Sequence, residues 1–127
     1  MPPLVGVLAG LAAGVFTLGR LEFFAHGNLS RFIGVGTTFA QPGKTPIGIT
    51  IASGSGYDGQ FYYRLALDPF DLRHTAYGIT FDNAYRVQRI TYSLLVWLAA
   101  GGRHGLVSRS LVLVNVLALA VLAGVSA

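Results

Sequence analysis

Three apolar stretches, separated by one long polar segment and one short one, organise the chain. The first runs uncharged from Leu4 to Leu18, apolar apart from Thr17, and Phe23-Phe24 extend it past Arg20 and Glu22. About 20 helical residues cross a 30 Å hydrocarbon core, so Leu4–Phe24 reads as a membrane span with its charged end at the interface. A signal peptide would need a basic leader, and Met1-Pro2-Pro3 supplies no side-chain charge. The second stretch, Ile90–Ala100, is too short alone. Begun near Ala84 and continued to Gly101 it becomes long enough, with Arg86 and Arg89 snorkelling at one interface. The third, Leu111–Ala127, is still apolar where the chain ends. The pattern therefore predicts an all-α integral membrane protein with three transmembrane helices. These take residues 1–24, 84–101 and 110–127, joined by a long extracytoplasmic loop (25–83) and a cytoplasmic turn (102–109). The unclosed third helix reads as truncated, and the whole as a fragment of a larger polytopic bundle.

Local punctuation refines this division. Gly6, Gly10 and Gly14 recur at a spacing of four and leave one helix face bare, which favours close approach of another membrane helix. Gly101-Gly102-Arg103-His104-Gly105 is a helix stop and turn. The 102–109 turn carries Arg103 and Arg109 and no acidic residue, so it is assigned to the cytoplasm and the long loop to the outside. Within the loop, Gln41-Pro42-Gly43-Lys44 is a turn and Ile47–Ile51 a β-favouring run. Gly59 to Leu67 predicts a short helix stopped at Asp68, because Pro69 disfavours helical geometry in the residue before it. Asp82 or Asn83 is placed to cap the next helix. The loop is expected to form an amphipathic layer on the membrane surface.

Composition strengthens the membrane reading. Apolar residues make up 53% of the 127 and charged residues 11%, against about 25% charged in soluble domains. Disorder is excluded by the same balance. The absence of cysteine removes disulfide scaffolds, thiolate metal sites and cysteine nucleophiles together. The formal net charge of +4 has no Lys/Arg run to track a nucleic acid, so membrane phospholipid or a phosphate ligand is the expected anionic partner.

All five acidic residues lie between Glu22 and Asp82, and the candidate chemistry lies there with them. In Gly56-Tyr57-Asp58-Gly59-Gln60-Phe61-Tyr62-Tyr63-Arg64, flanking glycines can leave the Asp58 carboxylate open, and a following helix N-terminus favours its charge. A carboxylate beside ring-stacking aromatics suits a general base acting on a hydroxyl. The competing reading makes Asp58 only a helix cap and Asp-Gly only a turn. Arg86 and Arg89 lie one helical turn apart and can face one anion, with planar forks that match phosphate oxygens; plain snorkelling is the alternative. His26, His74 and His104 are scattered without metal-ligand spacing, and Asp68 and Asp71 read as a turn. No serine-nucleophile, phosphate-loop or zinc-protease motif is present.

Gly56–Pro69 (Gly-Tyr-Asp-Gly-Gln-Phe-Tyr-Tyr-Arg-Leu-Ala-Leu-Asp-Pro), followed by Tyr85–Tyr92 (Tyr-Arg-Val-Gln-Arg-Ile-Thr-Tyr) opening a membrane helix, resembles bacterial membrane glycosyltransferases of the GT-C superfamily. The likeness is to their mannosyltransferase-like actinobacterial members, and it covers the beginning of such an enzyme. It implies transfer of a sugar from a polyprenyl-phosphate donor to an acceptor hydroxyl on an envelope glycan, lipid or protein, outside the plasma membrane. Carried over, Asp58 matches the catalytic acidic position. Arg86 and Arg89 are candidates for the donor phosphate, and Tyr57, Gln60 and Tyr62 for substrate contacts. No cofactor is called for, a divalent metal stays open, and nucleic acid is not a partner. Ser93 stands where such proteins often have proline. Two other readings stay open: a small non-catalytic membrane subunit, and a lipid-phosphate binding component.

Overall fold

The computed structural model describes all residues 1–127. It is mostly helical, 58% of residues, in five α-helices: α1 (Pro2–Phe23), α2 (Ser30–Ile33), α3 (Gly59–Leu67), α4 (Ile90–Ala99) and α5 (Val107–Ser126). Two 3₁₀ turns, Ala84–Arg89 and His104–Leu106, precede α4 and α5. Four two-residue strands complete it: β1 (Val35–Gly36), β2 (Ile51–Ala52), β3 (Thr75–Ala76) and β4 (Ile79–Thr80). The chain divides into two compact units, Met1–Asn28 with Leu111–Ala127, and Leu29–Ser110.

The first unit is an α1–α5 pair. Proline occupies the first turn of α1, where its missing N–H costs nothing. Beyond Phe24, His26 and Gly27 turn to positive φ, and the Gly27 N–H donates to the Leu21 carbonyl at 3.0 Å, closing the helix end. The helices approach closely at Gly6, where a Cβ would lie 2.9 Å from the Ala120 carbonyl oxygen and 3.3 Å from Gly124 Cα. At Gly10 it would meet the Ala120 methyl at 3.0 Å, whereas nothing lies within 4 Å of Gly14. The glycine face expected from the sequence is thus occupied, over its first two positions, by α5 of the same chain. Leu11, Val15, Phe16 and Leu18 on α1, and Val121 and Leu122 on α5, remain exposed. Both helices are long and apolar enough to cross a membrane, at mean hydropathies of 1.8 and 2.2.

The second apolar stretch departs from the expected continuous helix over 84–101. Ala84–Arg89 is 3₁₀, Arg89 sits at φ −89°, ψ 41°, and the α-helix begins only at Ile90. Ten α-helical residues rise about 15 Å, half of a hydrocarbon core. The predicted stop is present: Gly101 and Gly102 take positive φ and donate to the Leu98 and Trp97 carbonyls.

In the second unit α3 is a core element rather than the surface helix expected. Seven of its nine residues are buried, so it has no broad solvent face. Phe61 stacks edge-on against Phe39 (centroids 5.4 Å apart) and lies 6.1 Å from Phe81, and Ile33, Val35, Leu65, Ile79 and Val96 are buried in the same unit. α3 ends at Leu67, and Asp68 is extended (φ −151°, ψ 101°), as the following Pro69 requires. The Gln41–Lys44 turn forms, closed by the Lys44 N–H on the Gln41 carbonyl at 3.1 Å. Of the Ile47–Ile51 run only Ile51 enters a strand. Gly48 at φ +88° breaks the extended chain and Ile47 is fully exposed. β1 and β2 pair in parallel, Val35 opposite Ile51, and β3 and β4 pair antiparallel around Tyr77-Gly78, both at positive φ.

Candidate functional site

Asp58 occupies the N-cap position of α3 but does not cap it. Its backbone is already helical (φ −57°, ψ −24°) and its side chain makes no cap hydrogen bond. A capping side chain needs a more extended backbone to fold back on the first turn. The carboxylate instead accepts from Arg86: Nη1 lies 2.7 Å from Oδ2, and the Asp58 side chain remains 55% exposed. Close backbone packing fixes this corner. A Cβ at Gly59 would lie 2.5 Å from the Ile33 carbonyl oxygen, and Gly56 combines φ +66° with a Cβ position 2.3 Å from the Gly34 oxygen.

Arg86 is held from the other side by a residue the sequence reading left as a possible cap. Nε donates to Asp82 Oδ1 and Nη2 to Asp82 Oδ2, both at 2.8 Å, a two-point contact from the residue before the extended Asn83 that begins the turn. The guanidinium lies over the Phe61 ring at 4.6 Å and is only 19% exposed. These hydrogen bonds hold the Asp82 carboxyl below the usual carboxylate range. Arg86 therefore bridges two carboxylates. Arg89, three residues on, turns to tyrosines instead. Its Nη2 donates to the Tyr85 hydroxyl at 3.2 Å and its guanidinium lies over the Tyr85 ring at 4.8 Å, with the Tyr62 side chain close by. The two arginines do not converge on one point. Arg89 is the exposed one, open to an anion.

The other sequence candidates separate. Tyr62 stands edge-on to Tyr92, centroids 5.3 Å apart, beside Arg89. Its carbonyl accepts from the Ser93 hydroxyl at 3.0 Å, so Ser93 ties α4 to α3, and the break in the helix falls at Arg89. Tyr57 is exposed, with its ring laid against Gly34, where a Cβ would approach Cδ2 to 2.6 Å. Gln60 is buried and both ends of its amide are engaged. Oε1 accepts from the Gly36 N–H at 3.2 Å and Nε2 donates to the Ser55 carbonyl at 2.8 Å, pinning the Asp58 loop to β1. No three His, Asp or Glu side chains gather as a metal set.

Two residues beyond the sequence candidates organise the unit. Asp82 was visible in principle from its spacing of four before Arg86. Arg64 was not: it is fully buried, with Nη1 2.6 Å from the Asp71 carbonyl oxygen and Nη2 on the Arg73 carbonyl oxygen. Its guanidinium lies 4.3 Å from the Phe81 ring centroid, the Asp71 carboxylate is 3.8 Å away, and Nε has no partner. Together these residues make a half-open carboxylate with one oxygen anchored by a guanidinium, next to an exposed arginine among tyrosines. Comparison with protein-family models, curated proteins and solved structures returns no match for this chain.

Proposed function

We propose that the chain is the N-terminal portion of a membrane glycosyltransferase of the GT-C kind, moving a sugar from a polyprenyl-phosphate donor to an acceptor hydroxyl outside the cell. One observation carries this reading: Asp58 stands at a helix N-terminus, is not spent as its cap, and keeps its carboxylate half exposed with Oδ2 anchored on Arg86. The other oxygen, Oδ1, takes the proton of the acceptor hydroxyl. The acceptor oxygen bonds to the anomeric carbon as the carbon–oxygen bond to phosphate breaks, and polyprenyl phosphate leaves. Arg89, exposed between Tyr85 and Tyr62, meets the phosphate charge, and the tyrosine rings offer faces to the sugar.

In this reading α1 and α5 cross the plasma membrane and the second apolar stretch makes a third, bent crossing. Arg86 and Arg89 in the 3₁₀ turn snorkel to the outer interface, and the roughly 15 Å of α4, with Leu95 and Leu98 exposed towards lipid, is met by local thinning of the bilayer. The carboxylate loop then lies outside and the Arg103 turn inside. The test supplies full-length protein, in membranes of its native host as the source of acceptor, with short-chain polyprenyl-phosphate sugars labelled in the sugar. Transfer of label with release of polyprenyl phosphate is expected. Binding of the lipid phosphate without turnover, for every sugar tried, contradicts it.

A further inference from the structure

We propose that Asp82 is a positioning residue for Asp58, acting through Arg86; the role rests on the glycosyltransferase reading above. A free arginine side chain explores many rotamers, and a single contact from Nη1 to Asp58 would leave the guanidinium free to swing. The two parallel contacts from Asp82 to Nε and Nη2 remove that freedom. Phe61 closes one face of the guanidinium plane at 4.6 Å. With one edge gripped and one face covered, Nη1 is presented in one direction, and Asp58 Oδ2 receives it at 2.7 Å. The consequence falls on Oδ1. Its direction towards an acceptor hydroxyl is set by a residue 24 positions away in sequence, which touches no substrate itself.

The site also sits on two separately built arms. Asp58 sits at the N-cap of α3, whereas Asp82 and Arg86 belong to the segment leading into α4. The Ser93 hydroxyl on the Tyr62 carbonyl ties the arms together one turn beyond the site, so the grip is placed by backbone packing and not by the ion pairs alone. Charge count supports a positioning role over anion binding at Arg86. Two carboxylates already face its single positive charge, while the exposed Arg89 faces only tyrosines.

Arginine nitrogen NMR of the full chain in phospholipid nanodiscs reads the grip without any sugar transfer. In the wild type the Arg86 Nη1 and Nη2 resonances are expected to be resolved, because rotation of the guanidinium is blocked. Asp82→Asn is expected to merge them, Asp82→Glu to restore them, and Asp58→Asn to leave them resolved. The Arg64 resonances, from a guanidinium held by two backbone carbonyls, report in each variant that the unit is folded. In the full-length protein with short-chain polyprenyl-phosphate mannose, Asp82→Asn is expected to lower kcat about 10²-fold at unchanged KM, the scale of a misplaced reacting group. Asp82→Glu is expected to recover most of it. Resolved Arg86 resonances in Asp82→Asn, with Arg64 unchanged, overturn the proposal. So does a merged signal with undiminished kcat. A wild-type protein that transfers no polyprenyl-linked sugar fells the transferase reading, and the role of Asp82 in it, while the resonances still show whether the grip exists.

Discussion

Replacing Arg64 by alanine is expected to destabilise the Leu29–Ser110 unit by about 3–5 kcal/mol, the sum of two carbonyls left without donors, at about 1–3 kcal/mol each, and the cavity left by the side chain. Its guanidinium gathers the chain after α3, holding the Asp71 and Arg73 carbonyls while Phe81 covers it. Alanine leaves two inward-facing carbonyls without donors and a cavity against Phe81. Domains are stable by about 5–15 kcal/mol, so the loss approaches the whole of a weak one. Lysine is expected to recover little, because one ammonium on a flexible stem cannot reproduce the two-carbonyl fork. Arg73→Ala is the contrast. Its side chain is 77% exposed, and its pair with Asp71 is expected to contribute about 0–1 kcal/mol. Denaturant titration followed by the fluorescence of Trp97, the single tryptophan, which packs edge-on against Phe70, measures both. Arg64→Ala within 1 kcal/mol of wild type, which is about the exposed-pair range, would contradict the account.

The same cluster sets an acid limit. Hydrogen bonds from the Arg73 side chain pull the Asp71 carboxyl down to about 2. A carboxyl whose folded pKa is depressed stabilises the protein above its unfolded value, about 4, and loses that contribution as pH falls towards 2. The contribution of Asp71 is therefore constant at neutral pH and disappears in that acid window.

Asp58→Asn in the full-length protein is expected to lower kcat by about 10²–10⁴-fold, the contribution of a positioned general base. The amide has nearly the same shape, and its carbonyl oxygen can still accept from Arg86 Nη1, so the site keeps its geometry and loses only the proton acceptor. In barrier terms this is about 3–5 kcal/mol. Expression and membrane insertion are expected to be unchanged, because the side chain is half exposed and caps no helix. Asp58→Glu distinguishes acid–base loss from positional loss: it retains a base but displaces it. Transfer at the wild-type rate in Asp58→Asn would remove Asp58 from the chemistry.

The sequence disclosed what short-range chemistry controls. Pro69 stops α3 at Leu67, the glycines at 101 and 102 stop α4, and Gln41–Lys44 turns, each because one or two residues restrict their own backbone. The two long apolar helices were legible because length against hydrocarbon thickness is a count. What depended on distant partners was not. Arg64 looks like any helical arginine until Asp71 and Arg73 bring their carbonyls to it. Ile47–Ile51 looks like a strand, but only Ile51–Ala52 finds an edge, on Val35–Gly36. The 3₁₀ start of the second apolar stretch lies where Asp82, ahead of the turn, grips Arg86 within it.

The site itself was half legible. Asp58 stood out by its glycine neighbours, yet cap and presented carboxylate share one sequence signature, and only the backbone angles separate them. Gln60 carried no signal that both ends of its amide would be used to pin a loop. Arg86 and Arg89 share a helical spacing, and nothing local says that one faces carboxylates and the other tyrosines.

The account turns on the Asp58 loop facing the compartment outside the cell, and single-cysteine labelling tests that directly in a chain with no cysteine of its own. Ser55→Cys lies on the exposed loop three residues before Asp58, and Gly105→Cys lies in the turn before α5, where a side chain meets nothing within 4 Å. The account predicts that a membrane-impermeant maleimide labels the cysteine at 55 on intact cells, and labels the one at 105 only after permeabilisation. A cysteine at 55 that stays unlabelled until the membrane is opened would contradict it.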